Sequence, residues 1–333
     1  MLSICIPNYE RKKTLITCLD SIVEAKKKSS LDFEVCILDN CSSYNIFSLT
    51  KLYKKKINLR VKKNKKNIGM AANILEVTKM AKKKFIWLVG NDDLVLPDAF
   101  NIILKFFLTK KRIKFYYFNS LILDKKNFIL SKISKNVLNY NFLNKKTKLF
   151  SPYQKVKEGS FQSLINPNIS FDFMMGMFLI IFDRKTWLRG LKMKRLIYLQ
   201  KDFLTLESTA PHVIIFSKFF MNVKSLFCPT PISINLKGYR DWNHLSPIVN
   251  SIMVPKILDQ YKKNGLDIFR YHLCSFFALR RFIIDMAKIV LFEKINPIKY
   301  IDNKKFFIKL LYPSMYIYLV YWFIEKLIEK IKK

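Results

Sequence analysis

Residues 85–100, FIWLVGNDDLVLPDAF, decide the fold, because an apolar run within them stops abruptly at polar residues. The run begins at Phe85 and is followed by Asn91, Asp92 and Asp93. Two adjacent carboxylates repel each other and are costly to bury. In a surface turn the pair costs little and has no functional meaning. At the carboxyl end of a buried parallel strand, it can hold a divalent cation.

Strand-like and helix-like segments alternate through the first 120 residues. Apolar, β-branched runs predict the strands, and apolar residues at helical spacing, such as Leu15, Leu19 and Ile22, predict the helices. Pro97 stands near the start of the last helix, where proline is favoured. The predicted strands are 2–9, 33–40, 57–63, 85–91 and 114–123, and the predicted helices are 11–28, 69–84 and 97–111.

The predicted strands show almost no alternation of polar and apolar residues. Such strands, separated by helices, are typical of a parallel sheet covered on both faces. Ligands bind to these sheets beyond the carboxyl ends of the strands. Pro7-Asn8, Asp39-Asn40 and the group 91–93 all fall at that edge. The sequence therefore predicts a ligand site there.

The pattern is less regular after the first 120 residues. Residues 124–170 are rich in Lys, Asn and Ser and predict a variable insertion or loop region. Apolar segments follow at 171–187 and 199–220, and after about Pro255 the chain is predicted to be helical. The last apolar run, which contains Pro313, has about 15 residues, fewer than the ~20 of a spanning helix. The aromatic residues and lysines at its end predict an interfacial amphipathic helix or a helix packed on the preceding domain.

The formal net charge is +36, and lysine accounts for almost all of the excess. Arginine, which makes bidentate contacts with phosphates and bases, is sparse. A nucleic-acid partner is therefore not expected. Attraction to an anionic membrane surface explains the charge, and so does a composition rich in Lys, Asn, Ile and Phe. Both explanations remain open.

The six cysteines include no CxxC pair, and Cys5 and Cys36 lie in apolar strand-like runs. Such thiols act as small core residues, so a reduced, cytosolic compartment is expected. The N-terminal MLSICIPNYE has no basic stretch followed by an apolar one, so no secretory signal is predicted. With the basic, aromatic tail, these features predict a cytoplasmic protein that is peripheral at the inner face of the cell membrane.

Four segments resemble, in order and approximate spacing, the motifs of family 2 glycosyltransferases with the GT-A fold. They are LSICIPNYERKKTLITCLDSI (2–22), FEVCILDNCSS (33–43), KNKKNIGMAANI (63–74) and FIWLVGNDDLVLPDAF (85–100). The resemblance implies an α/β fold with a Rossmann-like mixed sheet and a mainly helical C-terminal region. It implies a GT-A domain at 1–250, with a nucleotide-sugar-binding half at 1–120 and an acceptor half at 121–250, followed by a basic, aromatic helical region at 251–333.

The resemblance also implies which residues bind a nucleotide-sugar. In the family, the turn after the first strand holds the nucleotide base, and the carboxylate after the second strand recognises the base or ribose. The segment at the start of the next helix closes over the nucleoside. The expected nucleotide-sugar-binding residues are Pro7, Asn8, Tyr9, Asp39, Asn67, Gly69, Asn73 and Asn91.

The sequence GNDD at 90–93 matches the position of the family's DXD metal motif. A hard cation held by carboxylates neutralises the charge that accumulates on a nucleoside diphosphate leaving group. Asp92 is implied as the metal ligand, Asp93 either assists the metal or braces the loop, and Mn²⁺ or Mg²⁺ is the expected cofactor. Many members have Asp where this chain has Gly90. This difference leaves open weaker metal binding or a shifted motif.

An inverting transferase needs a base, usually a carboxylate, that accepts the proton of the acceptor hydroxyl. In the family this base follows a segment similar to GMFLIIFDRKTW (176–187), often in a Glu-Asp pair that this chain lacks. Asp202 is the first candidate for the catalytic base and Glu207 is the second. His212 and His244 are candidates for the acceptor side.

The resemblance implies an inverting, metal-dependent transferase that moves a sugar from a nucleotide-sugar, in the first place a UDP-sugar, to a glycan or lipid-linked glycan acceptor. Biosynthesis of cell-envelope polysaccharide, lipooligosaccharide or capsule is the expected setting. The alternative is a catalytically degenerate GT-A domain that binds glycan or nucleotide without turnover. The glycine at Gly90 and the missing Glu-Asp pair favour that alternative.

Overall fold

The structure is a computed structural model that describes residues 1–131, 146–192, 204–238, 243–301 and 304–331. The chain forms two compact units. The first comprises Met1–Gln200 and Pro211–Arg240, and the second comprises Lys201–Ala210 and Asp241–Lys333. All four motif segments therefore belong to the first unit.

A mixed sheet forms the centre of the first unit. Its described strands are β1 (Leu2–Asn8), β2 (Phe33–Asp39), β3 (Leu59–Lys63), β4 (Phe85–Leu88), β5 (Leu94–Val95), β6 (Phe115–Asp124), β7 (Lys148–Leu149), β8 (Lys157–Ser160), β9 (Ile180–Asp183) and β10 (Lys224–Lys237). Their order across the sheet is β3-β2-β1-β4-β9-β6-β10-β5, with β7 beside β6 and β8 beside β10.

The first four strands are parallel, as the sequence predicts. β1 lies between β2 and β4, and β2 pairs with β3. Asn8 stands opposite Asp39, and Asp39 stands opposite Lys63, so the carboxyl ends of these strands are level. β9 runs antiparallel to β4 and β6 and makes the sheet mixed. The fold class implied by the resemblance is therefore confirmed.

Four helices accompany these strands along the chain: α1 (Lys12–Lys27), α2 (Ile46–Thr50), α3 (Met70–Thr78) and α4 (Ala99–Thr109). The buried face of α1 carries Leu15, Cys18, Leu19 and Ile22. This is the helical spacing seen in the sequence, and it packs α1 into the core beside the strands.

Two buried tryptophans attach the later part of the first unit to its N-terminal elements. Trp87 in β4 donates a hydrogen bond from Nε1 to the Phe178 carbonyl at 2.9 Å. Trp187 donates from Nε1 to Thr78 Oγ1 in α3 at 2.8 Å. An indole N–H is costly to bury without an acceptor. These two bonds therefore fix segment 176–187 beside β4 and α3.

The predicted loop region at 124–170 contains several short elements. They are the helix Lys125–Ser131, β7, β8 and the helix Phe161–Leu164. β8 pairs antiparallel with β10. These elements are too short for an apolar period to reveal them in the sequence.

Helices dominate the described part of the second unit, as predicted for the C-terminal region. The longer ones are Val254–Lys263, Ile268–Leu279, Phe282–Leu291 and Ser314–Ile331. No helix among the described residues is both long enough and apolar enough to cross a membrane.

Glu34 is a buried carboxylate in β2 that links several elements. It accepts hydrogen bonds from Ser3 Oγ (2.7 Å), the Lys82 backbone N–H (2.6 Å) and Arg60 Nη2 (2.7 Å). Burial acts to raise the pKa of Glu34, but these hydrogen bonds outweigh burial and the pKa lies below its ordinary value. The ionised form of Glu34 is thus stabilised by folding.

We expect Glu34→Gln to lower the free energy of unfolding by about 2–3 kcal/mol at neutral pH, because Arg60 loses its charged partner. The folded-state pKa is lowered, so the contribution of Glu34 is present above its ordinary pKa of about 4.3 and is lost as the pH falls through the folded-state value. Urea unfolding of both proteins at neutral and strongly acidic pH measures this difference. A difference that stays constant across that range would contradict the prediction.

Candidate functional site

The carboxyl ends of β1, β2 and β4 are joined by a chain of hydrogen bonds. Asn8 Nδ2 donates to Asp39 Oδ1 at 2.6 Å and lies 2.7 Å from Tyr44 Oη. Asn91 Nδ2, from the turn after β4, donates to Asn8 Oδ1 at 2.7 Å. Asn8 and Asp39 are both buried. The structure therefore brings together three of the residues predicted to bind the nucleotide-sugar.

The Asp39 carboxylate organises the loop that follows β2. Its Oδ2 accepts a hydrogen bond from the Ser42 backbone N–H at 3.0 Å, and its Oδ1 accepts one from Ser42 Oγ at 2.6 Å. An ionised carboxylate only accepts hydrogen bonds. Asp39 thus sets the direction of the Asn8 amide and the conformation of the loop at the same time.

Tyr9 and Glu10 form the exposed turn after β1. Tyr9 is 46% exposed, and Pro7 before it is partly buried. Glu10 has a left-handed backbone with φ of 50°. Its carboxylate accepts hydrogen bonds from the Ser43 backbone N–H (2.6 Å) and Ser43 Oγ (2.9 Å). Glu10 therefore connects the turn after β1 to the loop after β2 and leaves the Tyr9 ring open to a ligand.

A cluster of asparagines lies where β2, β3 and α3 meet. Asn40 Nδ2 donates to Asn67 Oδ1 at 2.7 Å, and Asn64 Nδ2 donates to Asn40 Oδ1 at 3.0 Å and to Asn73 Oδ1 at 3.1 Å. Asn73 Nδ2 donates to the Leu38 carbonyl at 3.1 Å. The structure thus brings Asn67 and Asn73 together. The cluster also includes Asn40, which the sequence places at the predicted ligand edge, and Asn64, which no sequence pattern marks.

Gly69 stands immediately before α3 with a φ of 87°. Its backbone N–H donates to Asn67 Oδ1 at 2.8 Å. Apart from Gly69 and its chain neighbours, no atom of the described residues lies within 4 Å of a Cβ built at this position. The backbone conformation, and not crowding, therefore requires glycine here.

Asp93 braces the turn after β4. Its Oδ2 accepts a hydrogen bond from the Gly90 backbone N–H at 3.1 Å, and its Oδ1 accepts one from Asn235 Nδ2 in β10 at 2.8 Å. Asp93 is buried. Asn235 was not predicted, since it lies 142 residues away in the chain and no local pattern marks it.

Asp92 differs from its neighbour in having no protein partner. It is partly exposed, and it makes no hydrogen bond or ion pair with any residue that the structure describes. Beneath the turn, the buried Cys18 thiol lies 3.8 Å from the Gly90 carbonyl. Burial, followed by the nearby Asp93 and Asp92 carboxylates, raises the pKa of Cys18, which keeps this thiol neutral. Because Asp92 is partly exposed and makes no hydrogen bond or ion pair within the described residues, its carboxylate is available to a ligand.

The two carboxylates occupy the space beside Gly90. A Cβ at this position would lie 2.7 Å from Asp93 Oδ2 and 2.8 Å from Asp92 Oδ1. Real Cβ atoms do not approach oxygen so closely. The glycine and the placement of the two carboxylates therefore depend on each other, and an aspartate at position 90 does not fit this turn unchanged.

We expect Gly90→Ala to displace the Asp92 carboxylate and to weaken nucleotide binding in the presence of Mn²⁺ by about tenfold, or about 1.4 kcal/mol. Binding in EDTA should change much less, because it does not use Asp92. Titration calorimetry under both conditions measures the effect, and the unfolding midpoint without ligand controls for a general loss of stability. Equal weakening with and without Mn²⁺ would show that the alanine damages the site in another way.

The donor atoms fit a cation that is shared with a substrate. The described residues contain no group of three or more His, Cys, Asp and Glu side chains that could hold a metal ion. Asp92 offers one carboxylate, and Asp93 is engaged with Gly90 and Asn235. Mg²⁺-type ions are often held by one or two carboxylates together with substrate phosphates. The residues therefore fit Mn²⁺ or Mg²⁺ bound together with a diphosphate.

The residues predicted for the base and the acceptor side lie in other elements of the chain or outside the described residues. Asp202 lies outside the described residues. Glu207 is partly buried in the short helix Leu206–Thr209, and His244 is exposed in a turn. Both belong to the second unit. His212 is buried in the first unit, with Nε2 2.7 Å from the Met175 carbonyl.

Similar solved structures define the class of fold. A mannosyltransferase from Pyrobaculum calidifontis, in complex with GDP-Man and Mn²⁺, aligns with a TM-score of 0.51 and 14% identity over 99% of this chain and 87% of its own. TarS residues 1–349 from S. aureus align with a TM-score of 0.50 and 15% identity over 88% of this chain and 73% of that one. The first unit thus has the GT-A fold of nucleotide-sugar transferases.

The family follows from sequence comparison. Residues 3–157 match the family model "Glycosyl transferase family 2". The chain therefore carries a family 2 glycosyltransferase domain, and the resemblance seen in its four motifs is confirmed. Abequosyltransferase RfbV from Salmonella typhimurium is 31% identical over 105 residues, which are 31% of each protein. TarS from Staphylococcus aureus is 28% identical over 98 residues, so the match spans 29% of this chain and only 17% of that relative.

Proposed function

We propose that the protein transfers one sugar from a nucleotide-sugar, in the first place a UDP-sugar, to a glycan or lipid-linked glycan acceptor. The observation that carries this proposal is the Asp92 carboxylate. It has no partner among the described residues, and Asn91 beside it is bonded to the Asn8–Asp39 pair. A free carboxylate next to a preorganised polar edge suits a diphosphate with its cation better than it suits a structural turn.

The donor lies across the carboxyl ends of β1, β2 and β4 in this proposal. The nucleotide base stacks on or beside the exposed Tyr9 ring and is oriented by Asn8, whose amide Asp39 holds in place. Asn91 contacts the ribose. The asparagine cluster with Gly69 closes over the nucleoside. TarS 1–349 in complex with UDP-GlcNAc, which aligns at a TM-score of 0.50 and 16% identity, supports a nucleotide-sugar in this fold.

The two carboxylates of the turn have different roles in the proposal. Asp92 would hold Mn²⁺ or Mg²⁺, and Asp93 fixes the turn through Gly90 and Asn235. When bound, the cation neutralises the negative charge that develops on the leaving nucleoside diphosphate. Asp93 is therefore a positioning residue.

Sugar transfer is proposed to proceed with inversion by a single in-line displacement. A carboxylate accepts the proton of the acceptor hydroxyl while the oxygen attacks the anomeric carbon. Asp202 is the first candidate for this base and Glu207 is the second. The exposed His244 is the acceptor-side candidate, whereas the buried His212 contacts the Met175 carbonyl.

The acceptor is proposed to be a cell-surface glycan assembled at the inner face of the cell membrane. Two observations support this setting. The chain carries a net charge of +36. The relatives it matches are named an abequosyltransferase and a poly(ribitol-phosphate) beta-N-acetylglucosaminyltransferase. The proposal includes a cytoplasmic location with peripheral contact with the membrane.

Release of nucleoside diphosphate tests the proposal. The full-length protein is incubated with UDP-, GDP-, CDP- and dTDP-sugars, each with Mn²⁺ or with EDTA, and the released diphosphate is measured. Slow hydrolysis of one donor, lost in EDTA, is the expected result. Binding of a nucleotide without release from any donor, with lipid-linked and soluble glycan acceptors present, would favour the degenerate domain, for which Gly90 in the metal motif is the specific argument.

A further inference from the structure

The second unit contains a cavity of about 840 Å³ that the sequence analysis did not anticipate. Basic side chains and apolar or aromatic side chains share its wall. The lining residues are Asp259, Lys262, Lys263, Tyr271, His272, Ile308, Lys309, Leu311, Tyr312 and Pro313.

The single carboxylate of the cavity wall is already neutralised. Lys309, which is only 6% exposed, donates from Nζ to Asp259 Oδ1 at 2.7 Å and to Tyr271 Oη at 3.2 Å. Lys262 and Lys263 make no ion pair with any residue in the described ranges, and Lys262 Nζ lies 4.5 Å from the centre of the Tyr271 ring. The cavity therefore has an excess of positive charge and suits an anionic group.

The residues that lead away from the cavity are apolar and exposed. Ile308 is 60% exposed and Leu311 is 79% exposed. The helix Ser314–Ile331 continues from there, and its exposed apolar residues recur at helical spacing. They are Tyr316, Ile317, Val320, Tyr321, Phe323, Ile324, Leu327 and Ile328, here called the apolar stripe.

The first turns of this helix are covered on the side opposite the stripe, whereas residues 323–330 are exposed on every side. Met315 is buried, and the helix contacts the helices Ile268–Leu279 and Phe282–Leu291. Tyr318 accepts a hydrogen bond from Arg281 Nη1 at 3.3 Å. The N-terminal part of the helix is thus docked on its own unit, while the apolar stripe has no cover within the described residues. Exposed apolar surfaces of this kind mark sites of interaction.

The net charge of the second unit distinguishes between two partners for the apolar stripe, a second copy of the chain and an anionic lipid surface. Between Asp241 and Lys333 the chain has 16 Lys and Arg but only 8 Asp and Glu. A second copy of the same surface would bring a second positive charge against the first. An anionic lipid surface brings acyl chains for the stripe and phosphates for the lysines. A helix with an apolar face and flanking lysines lies in the plane of such an interface.

We propose that the second unit docks on anionic phospholipid, with the apolar stripe inserted among the acyl chains and a headgroup phosphate held in the cavity by Lys262 and Lys263. This inference deepens the membrane contact of the proposed function and rests on it, but it does not depend on sugar transfer. In this proposal the cavity binds an anionic lipid headgroup, and the helix Ser314–Ile331 inserts shallowly into the membrane surface.

Vesicle sedimentation of the full-length protein tests the inference. The vesicles contain phosphatidylcholine alone or phosphatidylcholine with phosphatidylglycerol. Two lysines near an anionic surface contribute about 1 kcal/mol each, so Lys262→Gln/Lys263→Gln should weaken binding to the anionic vesicles by at least about tenfold. The matched control, Lys54→Gln/Lys55→Gln, removes the same charge from exposed sites in the first unit and should change binding less than about threefold. Equal losses in the two variants would overturn the headgroup site.

A second variant tests the stripe. Ile317→Ser/Ile324→Ser/Leu327→Ser changes only exposed side chains, so the fold should persist and vesicle binding should fall. Unchanged vesicle binding would overturn the insertion. A shift from dimer to monomer in sedimentation velocity, without vesicle binding by the parent protein, would instead assign the stripe to a second copy of the chain and overturn the proposal.

Two further measurements are needed. The first distinguishes a lipid headgroup from a soluble phosphate as the anion, and the second distinguishes membrane docking from the proposed sugar transfer. Glycerol phosphate that displaces the protein from vesicles at low concentration would assign the cavity to a soluble phosphate and overturn the lipid assignment. Nucleoside diphosphate release in vesicle-free solution should be unchanged in all these variants. A parent protein that binds no vesicle composition but releases nucleoside diphosphate would refute the docking inference alone, whereas vesicle binding by the parent protein without release would count against the proposed enzyme.

Discussion

Asp92→Asn is expected to reduce sugar transfer by about 10³-fold, which corresponds to about 4 kcal/mol of transition-state stabilisation. The neutral amide keeps the shape of the side chain but removes the charge that holds the cation. Because Asp92 has no protein partner among the described residues, its replacement should leave the folded structure and its unfolding temperature almost unchanged. Steady-state rates at saturating donor, with Mn²⁺, measure the effect.

Asp98→Asn is the matched control for this change. Asp98 lies six residues further along the chain, is exposed, and is 3.4 Å from Lys28 Nζ in a surface ion pair. Such pairs contribute little, so this variant should keep its activity within about twofold. Full activity of Asp92→Asn in Mn²⁺ would remove the metal role from Asp92 and with it the main support for the proposed mechanism.

Asp39→Ala is expected to combine a large loss of stability with a loss of nucleotide binding. The substitution leaves the Asn8 amide and the Ser42 backbone N–H without their buried acceptor. Each buried donor without a partner costs about 1–3 kcal/mol, so the free energy of unfolding should fall by about 3–4 kcal/mol. Urea unfolding gives this value, and calorimetry with UDP should show binding weakened by more than about 100-fold.

Asp32→Asn provides the comparison for Asp39→Ala. Asp32 immediately precedes β2, at the end opposite Asp39, and its exposed carboxylate pairs with Lys83 and the N-terminal ammonium. Hydrogen bonds from Lys83 and the N-terminus lower the pKa of Asp32, but surface ion pairs contribute little. Asp32→Asn should therefore cost less than about 1 kcal/mol and leave UDP binding intact. Similar effects of the two variants on stability and UDP binding would contradict the role of Asp39 in organising the nucleotide site.

The sequence predicted the polar edge of the sheet because that edge depends on local patterns. Asn8, Asp39 and Asn91 each follow an apolar run directly, and parallel strands bring such ends together. The same signal placed Asn40 at this edge, although an asparagine after a strand is also an ordinary turn residue. Asn64 has no such signal, because it follows the lysines that end β3.

Other features could not be predicted because they depend on contacts between distant parts of the chain. The bond between Asn235 and Asp93 joins residues 142 positions apart, so no local pattern could have indicated it. The insertion of β9 between β4 and β6 depends on antiparallel pairing that no local pattern announces. The cavity beside Lys309 likewise forms from three separate stretches of the second unit.

The measurement that tests the central claim most directly is thermal unfolding of the purified protein with UDP, GDP, CDP or dTDP, each with Mn²⁺ or with EDTA. A ligand that binds only the folded state, at about 100-fold above its Kd, adds about 2.7 kcal/mol of stability. We predict that one nucleotide, with UDP first, stabilises the protein in Mn²⁺, and that EDTA or Asp92→Asn removes most of this stabilisation. Stabilisation by no nucleotide, or stabilisation that is the same in EDTA and in Asp92→Asn, would contradict a diphosphate and cation site at the turn after β4.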